Sequence, residues 1–95
     1  MAEYTASATV SGGPTTVKWI EVITDGTADH DATVIGYNKP SVTDIAAANK
    51  VFEFLVLGEN GYGGGVVGGE NGIRCDEGLY VTVSGTGASF IPHCS

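Results

Sequence analysis

Apolar and polar residues alternate along most of this chain with the two-residue period of β-strands. Thr16 to Thr24 reads as a strand rich in β-branched and aromatic residues. Strict alternation there places Val17, Trp19, Glu21 and Ile23 on one face and Lys18, Ile20, Val22 and Thr24 on the other. Neither face is cleanly polar, which points to a central or interfacial strand. Ala32 to Tyr37 is the next strand, with Thr33, Ile35 and Tyr37 sharing a face, and Asn38-Lys39-Pro40-Ser41 ends it. Lys50 to Leu57 is a third, projecting Phe52, Phe54 and Val56 one way and Val51, Leu55 and Leu57 the other. Trp19, Phe52 and Phe54 are the expected core aromatics.

The ends of the chain carry weaker patterns. Tyr4 to Val10 reads as an edge strand or arm, within a possible N-terminal arm over residues 1–13, before Gly12-Gly13-Pro14 breaks it. Gly78 to Ser84 and Ala88 to Ile91 flank a glycine-bearing turn and predict a closing β-hairpin. Pro92 is expected to limit the last strand and to mark an edge. The one helix-compatible run, Asp44 to Ala48, is barely two turns long, so a single turn or a loop fits it equally well. Six to eight short strands with turn signals between them predict an all-β fold, a small antiparallel β-sandwich or jelly-roll-like barrel. At 95 residues the chain forms a single domain, residues 1–95.

Glycine changes the picture between Gly58 and Gly72, where eight of fifteen residues are glycine and Gly-Glu-Asn-Gly occurs twice. Asn60-Gly61 and Asn71-Gly72 are positive-φ turn signals. Residues 58–72 are therefore expected to form a protruding loop, either flexible or presenting Tyr62, Val66 and Val67 as contact anchors. The run lacks the Gly-Lys-Ser/Thr and following helix of a phosphate loop, and its only charges, Glu59 and Glu70, repel phosphate.

Charge narrows the function classes. Four basic residues face eleven acidic ones, for a net charge of -7. No basic patch neutralises phosphates, so neither nucleic acid nor an anionic membrane is an expected partner. Charged residues are 16% of the chain, below the usual share of about a quarter, which indicates surface set against neighbouring subunits. The N-terminus shows no basic and apolar leader, so synthesis and assembly in a reducing cytoplasm are expected.

Candidate chemistry is sparse. Asp25 to Asp31 gathers three carboxylates and His30, but the spacing fits no calcium loop and the reading is a solvated turn. Cys75 and Cys94 stand as free thiols, as a disulfide closing a loop of about twenty residues, or, with His30 and His93, as a zinc site without the usual ligand spacing. His93 and Cys94 are neighbours on a strand and face opposite ways, so they form no nucleophile–base pair. No catalytic residue, cofactor or metal is expected, and the chain reads as a non-enzyme.

From Asp25-Gly26 through Ala32-Thr33-Val34-Ile35-Gly36-Tyr37, and again from Gly78-Leu79-Tyr80-Val81 through Thr86-Gly87-Ala88-Ser89, the chain resembles small β-sandwich virion proteins of tailed bacteriophages. The resemblance covers residues 16–37 and 73–91 and departs at residues 58–72 and at the Pro92 to Ser95 end. It implies a non-enzymatic virion protein, above all a capsid decoration (cement) protein. Such a protein would sit on the capsid surface, be assembled in the host cytoplasm, bind the major capsid protein, and form a homo-oligomer, a trimer. The glycine-rich loop or the N-terminal arm, with Tyr4, would touch the shell. The alternatives are a tail or head-completion component and a carbohydrate-binding module, the last requiring Trp19 or Tyr62 exposed beside carboxylates.

Overall fold

A computed structural model describes residues 3–95 and shows two antiparallel sheets packed face to face. The strands are β1 (Ala8–Ser11), β2 (Thr15–Ile23), β3 (Ala32–Tyr37), β4 (Lys50–Val56), β5 (Tyr62–Val66), β6 (Ile73–Cys75), β7 (Leu79–Ser84) and β8 (Ser89–Cys94). The back sheet has the order β1-β7-β3-β4. In the front sheet β2 is central. It pairs with β8 over Val17–Ile23, and with β5 (Trp19–Ile23) and β6 (Thr15–Val17). A strand has two edges, so β5 and β6 lie end to end on the edge that β8 leaves free. The helix-compatible run resolves into two 3₁₀ turns, Val42–Asp44 and Ala47–Asn49.

The core fills from both inner faces. Val17, Ile20, Val22 and Phe90 of the front sheet meet Val34, Phe52, Val56, Leu79 and Val81 of the back sheet, all buried. The expected faces of β4 hold from Phe52 onward: Phe52 and Val56 are buried, Phe54 packs against the core, and Leu55 and Leu57 are exposed. Val51, expected outward with Leu55, instead packs against the core, because the pairing of β4 with β3 steps by one residue between Gly36 and Tyr37. Trp19 departs from expectation. Pairing of β2 with β8 steps by one residue between Val17 and Trp19. This β-bulge inserts Lys18 and reverses the alternation. Val17 points inward before it, and Ile20 and Val22 after it. Trp19 is thereby turned outward, 44% exposed, and is not part of the core.

Residues 58–72 correct the loop expectation. After a short 3₁₀ turn at Gly58–Asn60, β5 lies on β2 from Tyr62 to Val66, and the Val67 N–H donates to the Lys18 carbonyl at 2.9 Å. The glycines serve close packing here. A Cβ at Gly63 would lie 2.7 Å from a Val56 methyl, and one at Gly65 3.1 Å from the Phe54 ring. The edge strand of the back sheet thus rests on bare β5 backbone. Only Gly68 to Gly72 leaves the sheet, through a 3₁₀ turn at Gly69–Asn71, before β6 resumes along the same edge of β2.

The closing hairpin is also corrected. β7 pairs with β1 and β3, whereas β8 pairs with β2, so the Gly85–Gly87 turn crosses from one sheet to the other. Leu79 and Val81 enter the core from the back and Phe90 from the front, which a flat hairpin does not allow. At the start of the chain, Tyr4 forms a bridge to Phe90 with N···O distances of 2.8 and 3.0 Å, and its ring stacks on Phe90 at 5.0 Å. The N-terminal segment then continues to β1 in the other sheet, closing that side of the sandwich. Beyond Phe90 this edge of β8 has no bridging strand among the described residues. The Phe90 N–H points toward Tyr4, so by alternation the Pro92 nitrogen, which lacks a hydrogen, faces the same open edge. Pro92 therefore sits within β8 and does not end it.

Candidate functional site

The outer face of the front sheet carries the most distinctive side-chain arrangement. Cross-strand register sets three rows: His93–Trp19–Val66, Ile91–Glu21–Gly64 and Ser89–Ile23–Tyr62. Directly opposed residues of antiparallel strands share a face, so these side chains belong to the outer face, where Ser89 is covered and its hydroxyl donates to a Glu3 carboxylate oxygen at 2.5 Å. The Trp19 indole stacks on the His93 ring, with centroids 4.0 Å apart and planes 21° from parallel. Gly64 has no side chain, and across this gap the Tyr62 hydroxyl donates to Glu21 Oε1 at 2.7 Å. His93 Nε2 donates to the other carboxylate oxygen at 2.5 Å. The other ring nitrogen of His93, Nδ1, is buried without a hydrogen-bond partner.

These hydrogen bonds fix Glu21 in both position and charge. The Tyr62 hydroxyl, and then His93, hold its carboxyl below the ordinary value of 4.5, while partial burial opposes them. In return, the hydrogen bond to Glu21 pushes the Tyr62 phenol above its usual 10.0. A shallow groove of 360 Å³ runs alongside, lined by Trp19, Tyr62, Val66 and the backbone of Gly63 to Gly65. Tyr62 and Val66 are 58% and 67% exposed.

The outer face of the back sheet differs. Its cross-strand rows are Leu55–Thr33–Ser84, Glu53–Ile35–Thr82 and Lys50–Tyr37–Tyr80–Thr9. Its charges are Lys50 and Glu53, which neutralise one another through a contact of 2.7 Å. Leu55 is 68% exposed, and Leu57 extends the apolar strip beyond β4.

Of the expected contact residues, Tyr62 and Val66 are surface groups and meet on one groove with Trp19. Val67 is only 3% exposed and belongs to the core, which corrects its reading as an anchor. Tyr4 is used internally against Phe90 and is half-buried. Sequence reading missed His93 and Glu21 as partners. Only a register across β2 joins residues 72 positions apart.

The cysteines flank the central strand: Cys75 is opposite Thr15 on β6 and Cys94 opposite Val17 on β8. Two interstrand spacings, about 9.6 Å, exceed the ~7 Å Cα separation that a disulfide spans. Both are free thiols, Cys75 buried and Cys94 exposed, and loss of hydration around each sulfur holds its pKa above the usual 9.0. The acidic segment at Asp25 is turn chemistry. Asp25 accepts from the Thr27 N–H at 2.9 Å and pairs with His30 at 2.7 Å, and Asp31 accepts from the Gly58 N–H at 2.8 Å. His30 and then Thr27 hold the Asp25 carboxyl below its ordinary value. Among the described residues, no group of three or more His, Cys, Asp or Glu is placed to hold a metal ion.

Comparison of the chain with protein-family models, with curated proteins and with solved structures yields no match.

Proposed function

We propose that this protein is a non-enzymatic structural subunit of a tailed-phage virion, a capsid decoration protein that binds the assembled shell of major capsid protein through the outer face of its back sheet. The observation that carries the reading is that face itself. It is pleated and set with Thr9, Thr33, Ile35, Tyr37, Tyr80 and Thr82, and it ends in the exposed Leu55. Tyrosine and aliphatic side chains with hydroxyls between them, and a single self-neutralised charge pair, suit a surface that is dehydrated on docking. The resemblance of residues 16–37 and 73–91 to small virion proteins supports the same direction.

A subunit that binds only the assembled shell shifts the assembly equilibrium toward that shell. Many copies on one particle turn modest contacts into firm cover, and a trimer on a symmetry axis multiplies each contact further. The test is light scattering of the purified protein, followed by mixing with expanded phage capsids and sedimentation. An oligomer that co-sediments and raises the shell's melting temperature, with Leu55→Glu abolishing both effects, is the expected result. A monomer that leaves shells untouched overturns the proposal.

A further inference from the structure

The groove on the front sheet is independent of the shell-facing surface, since the two lie on opposite outer faces of the sandwich. We propose that it is a carbohydrate-binding site that takes a neutral pyranose, with Trp19 and Tyr62 as stacking surfaces and Glu21 as the hydroxyl acceptor. The chemistry of the lining, and of Glu21, which stands beside the groove bonded to the Tyr62 hydroxyl and opposite Gly64, selects this occupant. Aromatic ring faces carry negative partial charge and attract the slightly positive C–H groups on the apolar face of a pyranose. Trp19 is braced from behind by His93 at 4.0 Å and remains 44% exposed, so its ring is rigid and available. Such preorganisation cuts the ordering cost that otherwise weakens small-ligand binding.

The polar part fits as well. An ionised carboxylate accepts hydrogen bonds only, and each Glu21 oxygen keeps a free lone pair after accepting once, from Tyr62 or from His93. Hydroxyl groups of a sugar are the donors that such an acceptor serves. A purely apolar partner would leave this carboxylate dehydrated and unmatched, and an anionic one would be repelled. The floor of Gly63 to Gly65 lets a ring lie close to the strand, and a volume of 360 Å³ falls at the small end of ligand sites, sized for one or two sugar units.

Trp19 is the single tryptophan, so its emission reports on the groove directly. The full-length protein is screened on a glycan array. Hits are then titrated by tryptophan fluorescence and calorimetry, beside methyl glucoside, methyl galactoside, methyl mannoside and N-acetylglucosamine. Saturable binding that shifts Trp19 emission is expected. Trp19→Ala and Glu21→Gln, each with unchanged far-ultraviolet circular dichroism, should weaken it about tenfold or more. If Trp19→Ala does not fold, Tyr62→Ala and Glu21→Gln carry the test. Leu55→Glu, on the opposite face, should bind sugar as the parent does. No saturable sugar binding, equal binding by the groove variants, or a dimer that buries Trp19 against a second copy overturns the inference. Failure to bind shells leaves these readouts untouched, so the two proposals fail separately.

Discussion

Gly63→Ala places a methyl group where β5 supports the opposite sheet. The new Cβ would stand 2.7 Å from Val56 Cγ2 and 2.9 Å from Cγ1, well inside ordinary contact. Val56 is 5% exposed and β-branched, so it has neither space nor an easy alternative rotamer. Overpacking of this kind costs about 1–3 kcal/mol. A domain of this size has roughly 5–14 kcal/mol in total, and each kcal/mol moves Tm by about 4–8 °C. The backbone at Gly63 is not in the left-handed region, so the loss is steric and not conformational. Were residues 58–72 a mobile loop, the same substitution would stabilise by about 0.4–1 kcal/mol by restricting the unfolded chain. The two pictures therefore differ in sign. Urea unfolding followed by Trp19 fluorescence measures it. Val56→Ala alone removes about 2–3 kcal/mol through lost burial and a cavity. Combined with Gly63→Ala it should cost less than the sum of the two by about 1 kcal/mol or more. A neutral or stabilising Gly63→Ala with additive effects would refute the packing of β4 on β5.

Other expectations follow from single observations. Phe90 is fully buried and stacked on Tyr4, so Phe90→Ala should cost about 3–5 kcal/mol, read from urea midpoints. Glu21's folded value lies below 4.5, so its hydrogen bonds add stability that is complete above that value and is lost as pH falls through the folded one. The stability advantage of the parent over Glu21→Gln at neutral pH should accordingly shrink as the pH is taken well below the ordinary carboxylate value of 4.5. In that variant the Tyr62 phenol, held above 10.0 by Glu21, should titrate earlier in an ultraviolet pH scan. With Cys75 and Cys94 across the central strand from one another, Tm should be the same with and without reductant, and two thiols should react after denaturation.

The strands with plain alternation were legible in the residues. β3 begins and ends at Ala32 and Tyr37 as its pattern predicts, and β4 turns Phe52 and Val56 inward and Leu55 outward. What escaped depends on the partner strand. One inserted residue, Lys18, reverses the faces of β2 and moves Trp19 from core to surface, yet no local feature of Val17-Lys18-Trp19 announces it. Gly63 and Gly65 look like loop residues because the reason for them, Val56 and Phe54, sits on the other sheet. Turn residues at Gly85–Gly87 signal a reversal but not whether the next strand joins the same sheet. The Glu21–Tyr62–His93 group needs the register of three strands and so was invisible in one dimension.

An electron cryo-microscopy reconstruction of expanded phage shells incubated with the protein tests the central proposal most directly. The account requires density at symmetry-related positions, with Leu55 and Tyr37 against the shell and Trp19 facing solvent. Bare shells, or subunits docked through the Trp19 face, would contradict it.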